Sequence, residues 1–286
     1  MSKDGMPPRK VIRQSVEYNL TEHCNLTCYG CGHASPLLPK KFASLEDFSS
    51  DFEALSAAFH SVEVRILGGE PLLHPQLLDF LAEARRVGVA DEVVVYTNGV
   101  LLHQAPKEFY RRIDQLVISS YPGVHRRLDD GRCADLCRDH GVKLLILGID
   151  KFQNNTVNSR ITDQGLVDAI YRTCNQREDC HTVYEGRFYK CPVGCFTAAR
   201  LALIGEAFEE GPDDGVSLHR NPDLRAQLEQ YLADPNPMAA CSYCLGSLGP
   251  DVPHRQLNRI GRQKWLQEDG LTDIEAVRQI LSGRGR

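Results

Sequence analysis

Five short runs rich in Val, Ile and Leu alternate with longer amphipathic stretches, and this alternation constrains the fold more than any other feature. The runs are 15–20 (SVEYNL), 62–67 (VEVRIL), 92–97 (EVVVYT), 115–120 (QLVISS) and 142–149 (VKLLILGI), each reading as a buried strand. Between the first two, SLEDFSSDFEALSAAF offers Ser44 as an N-cap and repeats Leu45, Phe48, Phe52, Leu55 and Phe59 at helical spacing. The segment 75–87 starts with Pro75, which a first helical position tolerates, and then carries a leucine stripe. Strand followed by helix at steps of roughly 25 residues implies parallel βαβ units with right-handed crossovers. Such units curl into a barrel or form an open doubly wound sheet, and both architectures bind ligands at the carboxyl ends of the strands.

The unusual residues stand at those ends. A cysteine cluster follows the first run, GGEP (68–71) the second, TNG (97–99) the third, and SSYPG (119–123) closes the fourth. Apolar content of 42% and charge of 25% are those of a folded globular chain. A net charge of -5, with bases scattered among acids, gives no basic field, so a nucleic-acid partner is not expected. No apolar run approaches the ~18 residues of a membrane span. The start MSKDGMPPRK lacks the apolar core of a signal peptide, so neither membrane nor export is expected and the protein should be cytoplasmic. In that reducing compartment eleven cysteines read as metal-binding or catalytic rather than as a disulfide framework.

Cys24, Cys28 and Cys31 form a CxxxCxxC array inside TEHCNLTCYGCGH. Three thiolates this close can hold three corners of a cubane 4Fe-4S cluster and leave one iron open. The other reading of the spacing is a zinc site completed by His23 or His33. The array after a first strand, with GGEP ending a second some forty residues on, resembles the radical S-adenosylmethionine (SAM) superfamily over about residues 15–175. The resemblance implies a partial (β/α)6 barrel, α/β in class, in which Cys24, Cys28 and Cys31 ligate iron and the fourth iron takes the amino and carboxylate groups of SAM. It also implies that Gly68, Gly69, Glu70 and Pro71 receive the SAM amino group, the glycines allowing close approach to bare backbone and Glu70 accepting through its carboxylate. Ser119, with Ser120 as its neighbouring alternative, falls where family members contact the SAM ribose or carboxylate. Thr97 and Asn98 are candidates for the same pocket, or simply close an Asn-Gly turn. The resemblance makes Leu147 and Ile149 adenine contacts, and barrel core explains them equally. Where the family commonly has an aromatic residue before the third cysteine, this chain has Gly30, with Tyr29 one place earlier.

After about residue 173 the pattern changes. HTVYEGRFYKC reads as a hairpin turning near Glu185 and Gly186, and Pro- and Asp-rich stretches separate it from CSYCLG. The residues Cys174, Cys180, Cys191, Cys241 and Cys244 are placed as in SPASM and twitch domains, which hold an auxiliary 4Fe-4S cluster. Cysteine number favours the single-cluster twitch form. Cys191, Cys241 and Cys244 would be ligands with Cys174 or, as rival, Cys180; four thiolates also suit structural zinc. The expected organisation is a SAM-binding barrel over 1–173, a small cysteine-rich twitch-like α+β domain over 174–254, and a helical tail over 255–286 whose last helix begins near Thr272 and Asp273. Cys133 and Cys137, one turn apart, read as buried small apolar side chains, and Cys195 as a possible hydrogen donor to a substrate radical.

The resemblance implies reductive cleavage of SAM and hydrogen abstraction from a C–H bond, with flavodoxin or ferredoxin as reductant. A small carbohydrate or aminocyclitol-like substrate, dehydrogenated or epimerised, is the expected partner. Radical maturation of a short peptide is the alternative, and a non-catalytic zinc protein the reading of another class.

Overall fold

The structure, a computed structural model, describes residues 10–283. Nine residues at the start, on which the absence of a leader was read, lie outside the described residues. The first half follows the expected alternation: β1 (Val11–Asn19), α1 (Leu45–Ser56), β2 (Phe59–Leu67), α2 (Leu77–Val87), β3 (Ala90–Thr97), α3 (Lys107–Tyr110), β4 (Gln115–Ser120), α4 (Asp130–Asp139) and β5 (Lys143–Gly148). These strands form a wholly parallel array in the order β5-β4-β3-β2-β1.

Alternation within each strand decides which side chains reach the helices. Tyr18 packs edge-on against Phe48 at 4.7 Å, and Phe48 meets Phe80 at 5.1 Å, so one aromatic chain ties β1 to α1 and α2. Ser44 caps α1 by accepting the Asp47 amide at 3.3 Å. Gly88 ends α2 in the left-handed conformation, φ 65°. Pro75 lies in the turn before α2 rather than at its first position. Strand β1 starts at Val11, earlier than the apolar run indicates, because its register with β2 continues back to Phe59. Cys133 and Cys137 of α4 are each 1% exposed in this core, as small apolar residues.

Beyond β5 come β6 (Lys151–Gln153), α5 (Gln164–Thr173), α6 (Gln176–Asp179), β7 (Thr182–Tyr184), β8 (Arg187–Tyr189), α7 (Pro192–Ala202), β9 (Val216–Ser217), α8 (Leu224–Ala233), β10 (Asp251–Pro253), α9 (Arg259–Gln267) and α10 (Leu271–Leu281). The β7–β8 hairpin turns at Glu185 (φ 46°) and Gly186 (φ 75°), two left-handed residues as a type I′ turn requires. Its first strand joins β1 in parallel, with Glu17 opposite Thr182. The cysteine-rich segment therefore extends the main sheet, which runs to eight strands with β5 and β9 at its edges. This is the partial-barrel α/β architecture, with the hairpin continuing it on the β1 side.

The last part of the chain returns to the cysteine loop after β1. Strand β10 pairs antiparallel with β6, Cys28 bridges to Gln256, and Tyr29 packs on Trp265 at 5.1 Å. Among the described residues no helix is long and apolar enough to cross a membrane.

Candidate functional site

At the carboxyl ends of β1 to β4 a cavity of ≈ 400 Å³ brings Cys24, Cys28 and Cys31 to one wall. The loop carrying them is held by backbone bonds: the Gly69 amide donates to Thr21 O at 2.5 Å and the Glu70 amide to His23 O at 2.9 Å. This contact explains both glycines. A Cβ at Gly69 would stand 2.4 Å from His23 O, and one at Gly68 would stand 2.6 Å from Thr21 O. The bare backbone is thus needed against the cysteine loop itself, before any ligand is considered.

The three thiols are dressed by their surroundings. The Leu26 amide donates to Cys24 Sγ at 3.4 Å, and His254 Nε2 lies 3.3 Å from Cys28 Sγ. Burial and the neighbouring sulfurs push Cys24 and Cys28 up to about 12, and burial also raises Cys31. Thiols in this state become ligands only when a metal's charge offsets their desolvation. Among the described residues no three Cys, His, Asp or Glu side chains converge on a common point as a single ion requires. The three cysteines line the same cavity. His33 Nε2, buried without a protein partner, also belongs to this cavity.

Glu70 departs from expectation. Its carboxylate is fully buried and accepts three bonds within the protein: Oε1 accepts Thr97 Oγ1 at 2.7 Å and the Leu72 amide at 3.1 Å, and Oε2 accepts the Asn98 amide at 2.9 Å. It is not part of the cavity lining, nor is Pro71, whereas Gly68, Gly69, Thr97 and Asn98 are. Glu70 therefore ties the turn after β2 to the turn after β3. Burial raises its carboxyl to about 7 against these three donors.

Of the two serines, Ser119 lines the cavity and Ser120 does not. Leu147 lies beside Ser119 in register on the edge strand β5 but is 37% exposed, so it is neither lining nor core. Ile149 is also outside the lining; its amide bonds Ser120 O at 2.8 Å. The flat apolar surface comes from elsewhere. Tyr121 and Phe152, both lining, stack at 5.6 Å and 19°, and His254 stacks on Tyr121 at 4.8 Å. Tyr29 faces away, under Trp265 and with its hydroxyl on Glu268 at 2.5 Å. The sequence signal for the aromatic wall was SSYPG itself, where Tyr121 follows the serines.

The same cavity is also lined by Glu17, Arg65, Tyr96, Gln176 and Cys180. Cys180 thus belongs to the main cavity. A second, small apolar chamber gathers Cys174, Cys191, Cys241 and Cys244, with Ile170, Val193 and Met238 around them. Gly246 follows this last pair closely; a Cβ there would lie 3.3 Å from Cys174 Cβ. The Gly246 amide donates to Cys244 Sγ at 3.2 Å, and burial pushes Cys191 and Cys244 up to about 12. Cys195 lines neither chamber. Its thiol points to Cys191 O at 3.7 Å and packs with Ala34, Leu38, Tyr189 and Phe196, behind the cavity surface.

A family model described as the Radical SAM superfamily matches residues 18–167, which span β1 to α5 and hold the whole cysteine array and GGEP. The chain belongs to the radical SAM superfamily. Members use a 4Fe-4S cluster and SAM, and Cys24, Cys28 and Cys31 are the residues that would hold the cluster. Among curated relatives, the chain is 34% identical over 115 residues to GTP 3',8-cyclase of Chlorobaculum tepidum, covering 40% of this chain and 32% of that protein. It is 28% identical over 221 residues to GTP 3',8-cyclase of Alkaliphilus oremlandii, covering 73% of this chain and 64% of the other. The chain therefore spans about a third of the first relative and less than two thirds of the second. Among solved structures, BtrN in complex with AdoMet and 2-DOIA is similar with a TM-score of 0.47 at 13% identity, over 79% of this chain and 84% of that one.

Proposed function

We propose that this radical SAM enzyme abstracts hydrogen from a C–H bond of a small polar substrate of the carbohydrate or aminocyclitol kind, and that oxidation to the dehydrogenated product is the favoured outcome. When bound, the cluster and SAM supply the radical that breaks an unactivated C–H bond. The protein's residues bind, orient and exclude water. Cys24, Cys28 and Cys31 would hold the cluster, the Tyr121 and Phe152 faces suit a flat heterocycle such as adenine, and Asn98, Thr97 and Ser119 offer hydrogen bonds to the ribose and amino acid end.

One observation carries the oxidative reading. The four-cysteine chamber abuts the main cavity, with Gln176 and Val193 lining both. Oxidation of a substrate radical to the dehydrogenated product releases one electron and one proton; an auxiliary 4Fe-4S cluster on Cys174, Cys191, Cys241 and Cys244 would accept the electron, and a polar group or water in the cavity would take the proton. In this reading 174–254 is the auxiliary-cluster region, and a flavodoxin or ferredoxin delivers the first electron.

The curated relatives act, by name, on GTP. A triphosphate calls for cationic side chains, and Arg65, the one Lys or Arg lining the cavity among the described residues, is already committed to Glu63, Glu17 and the Asp179 carbonyl. The polar neutral and acidic lining favours a hydroxylated or aminated substrate instead. Anaerobic incubation of the reconstituted enzyme with dithionite, SAM and a panel of such compounds tests this. A product lighter by two hydrogens, with 5'-deoxyadenosine formed in step, is expected. Conversion of GTP with no turnover of the cyclitols would overturn it.

A further inference from the structure

The radical mechanism leaves one buried charge group without a task. Glu17 and Arg65 stand directly opposite in the parallel register of β1 and β2. Their neighbours Tyr18 and Ile66 are buried with the core residues beneath the helices, so by strand alternation Glu17, Glu63 and Arg65 turn to the other face, toward the cavity. Glu17 is 5% exposed.

The obvious structural role is an internal ion pair, but the pair is long and shared, so it satisfies Glu17 only in part. Arg65 directs its fork elsewhere: Nε and a terminal nitrogen donate to Glu63 Oε1 at 3.1 and 2.6 Å. Its remaining nitrogen gives the Asp179 carbonyl a bond at 3.1 Å and reaches Glu17 Oε1 only at 3.4 Å. Two carboxylates thus share one guanidinium, and Glu17 has the weaker claim. The other groups facing Glu17 are the Thr182 hydroxyl, the Tyr96 phenol and the Cys180 and Cys195 thiols, none of which brings positive charge. Burial accordingly raises its carboxyl to about 7. A buried carboxylate in this position is costly unless a cation completes it.

We infer that Glu17 is the specificity-determining residue of the substrate half of the cavity, and that it recognises a protonated amine on a hydroxylated small molecule. The inference rests on the radical-enzyme reading above and narrows its substrate class. An ammonium both neutralises the surplus carboxylate and forms a charge-assisted hydrogen bond, whereas a hydroxyl in the same place does only the second. Gln176, Tyr96 and Asn155 line the surrounding surface and serve the neighbouring hydroxyls.

The test uses the reconstituted holoenzyme with SAM, under anaerobic calorimetry, and two probes that share one ring: streptamine, with two amines, and scyllo-inositol, with hydroxyls only. Streptamine should bind at least about tenfold tighter at pH 8. That preference should shrink as the pH falls through about 7 and Glu17 takes a proton. Glu17→Gln should abolish the preference and Glu17→Asp should retain part of it, with iron content reporting that both variants fold. Equal binding of the two probes, no streptamine binding up to about 10 mM, or a preference that survives in Glu17→Gln would each overturn the inference. Failure of the wild-type sample to form 5'-deoxyadenosine would instead overturn the radical reading on which it rests.

Discussion

Cys174 and Cys180, joined only by the short helix α6, face different chambers: Cys174 the apolar pocket with Cys191, Cys241 and Cys244, and Cys180 the main cavity that the three-cysteine loop also lines. The turn of a single short helix therefore separates a ligand candidate from a residue of the substrate wall. Cys174→Ala should lower iron from about eight to about four per chain, the content of two cubane clusters against one. Cys180→Ala should leave it near eight. The reverse pattern, by iron and sulfide assay, would move the auxiliary site onto Cys180.

Glu70 should prove to be a brace. Glu70→Ala leaves Thr97 Oγ1 and the Leu72 and Asn98 amides without their acceptor, which costs about 3 kcal/mol in a buried setting. The melting temperature of the cluster-free protein should fall clearly, and Glu70→Gln should recover part of it. An unchanged melting temperature together with lost SAM affinity would show that the carboxylate meets the ligand after all.

The backbone contact under GGEP predicts a severe effect from a small change. Gly69→Ala places a methyl 2.4 Å from His23 O, one residue before Cys24, so the loop must move. Iron of the first cluster should be lost in this variant while the Cys174 chamber keeps its own. Full iron content in Gly69→Ala would contradict the packing described.

Stability should also carry the signature of Glu17. Its folded carboxyl lies near 7 against an ordinary 4.5, so between those values the folded state binds more protons than the unfolded one. Stability of the cluster-free protein should fall as pH rises across that window, by about 3 kcal/mol from this group if the whole shift is realised. Glu70, also raised to about 7, contributes in the same direction. Denaturant melts at several pH values should show a shallower slope in Glu17→Gln. An identical slope would mean that Glu17 is solvated or better paired than its contacts indicate.

The strands, the Ser44 cap and the Glu185–Gly186 turn were legible because they rest on local periodicity and turn chemistry. The cysteine groups were legible by spacing, but which chamber Cys180 joins depends on a helix turn that spacing does not encode. The charged wall was missed for a different reason. The apolar content of SVEYNL and VEVRIL marks them as strands; Glu63 and Arg65, two apart, share a face by alternation, while Glu17 joins them only through the β1–β2 register. GGEP marks the right place, yet sequence does not tell which way the Glu70 carboxylate turns. Contacts such as Cys28 with Gln256 and Tyr29 with Trp265 join segments more than 200 residues apart, and nothing local announces them.

If Cys24, Cys28 and Cys31 hold the cluster that cleaves SAM, removing them must abolish 5'-deoxyadenosine formation. Wild type and the triple Cys→Ala variant would be reconstituted anaerobically and given dithionite and SAM, and 5'-deoxyadenosine would be quantified by mass spectrometry. Wild type should form it, and the variant should form none while retaining about four irons in the Cys174 chamber. Continued 5'-deoxyadenosine formation by the triple variant, or none by an iron-replete wild type, would contradict the account.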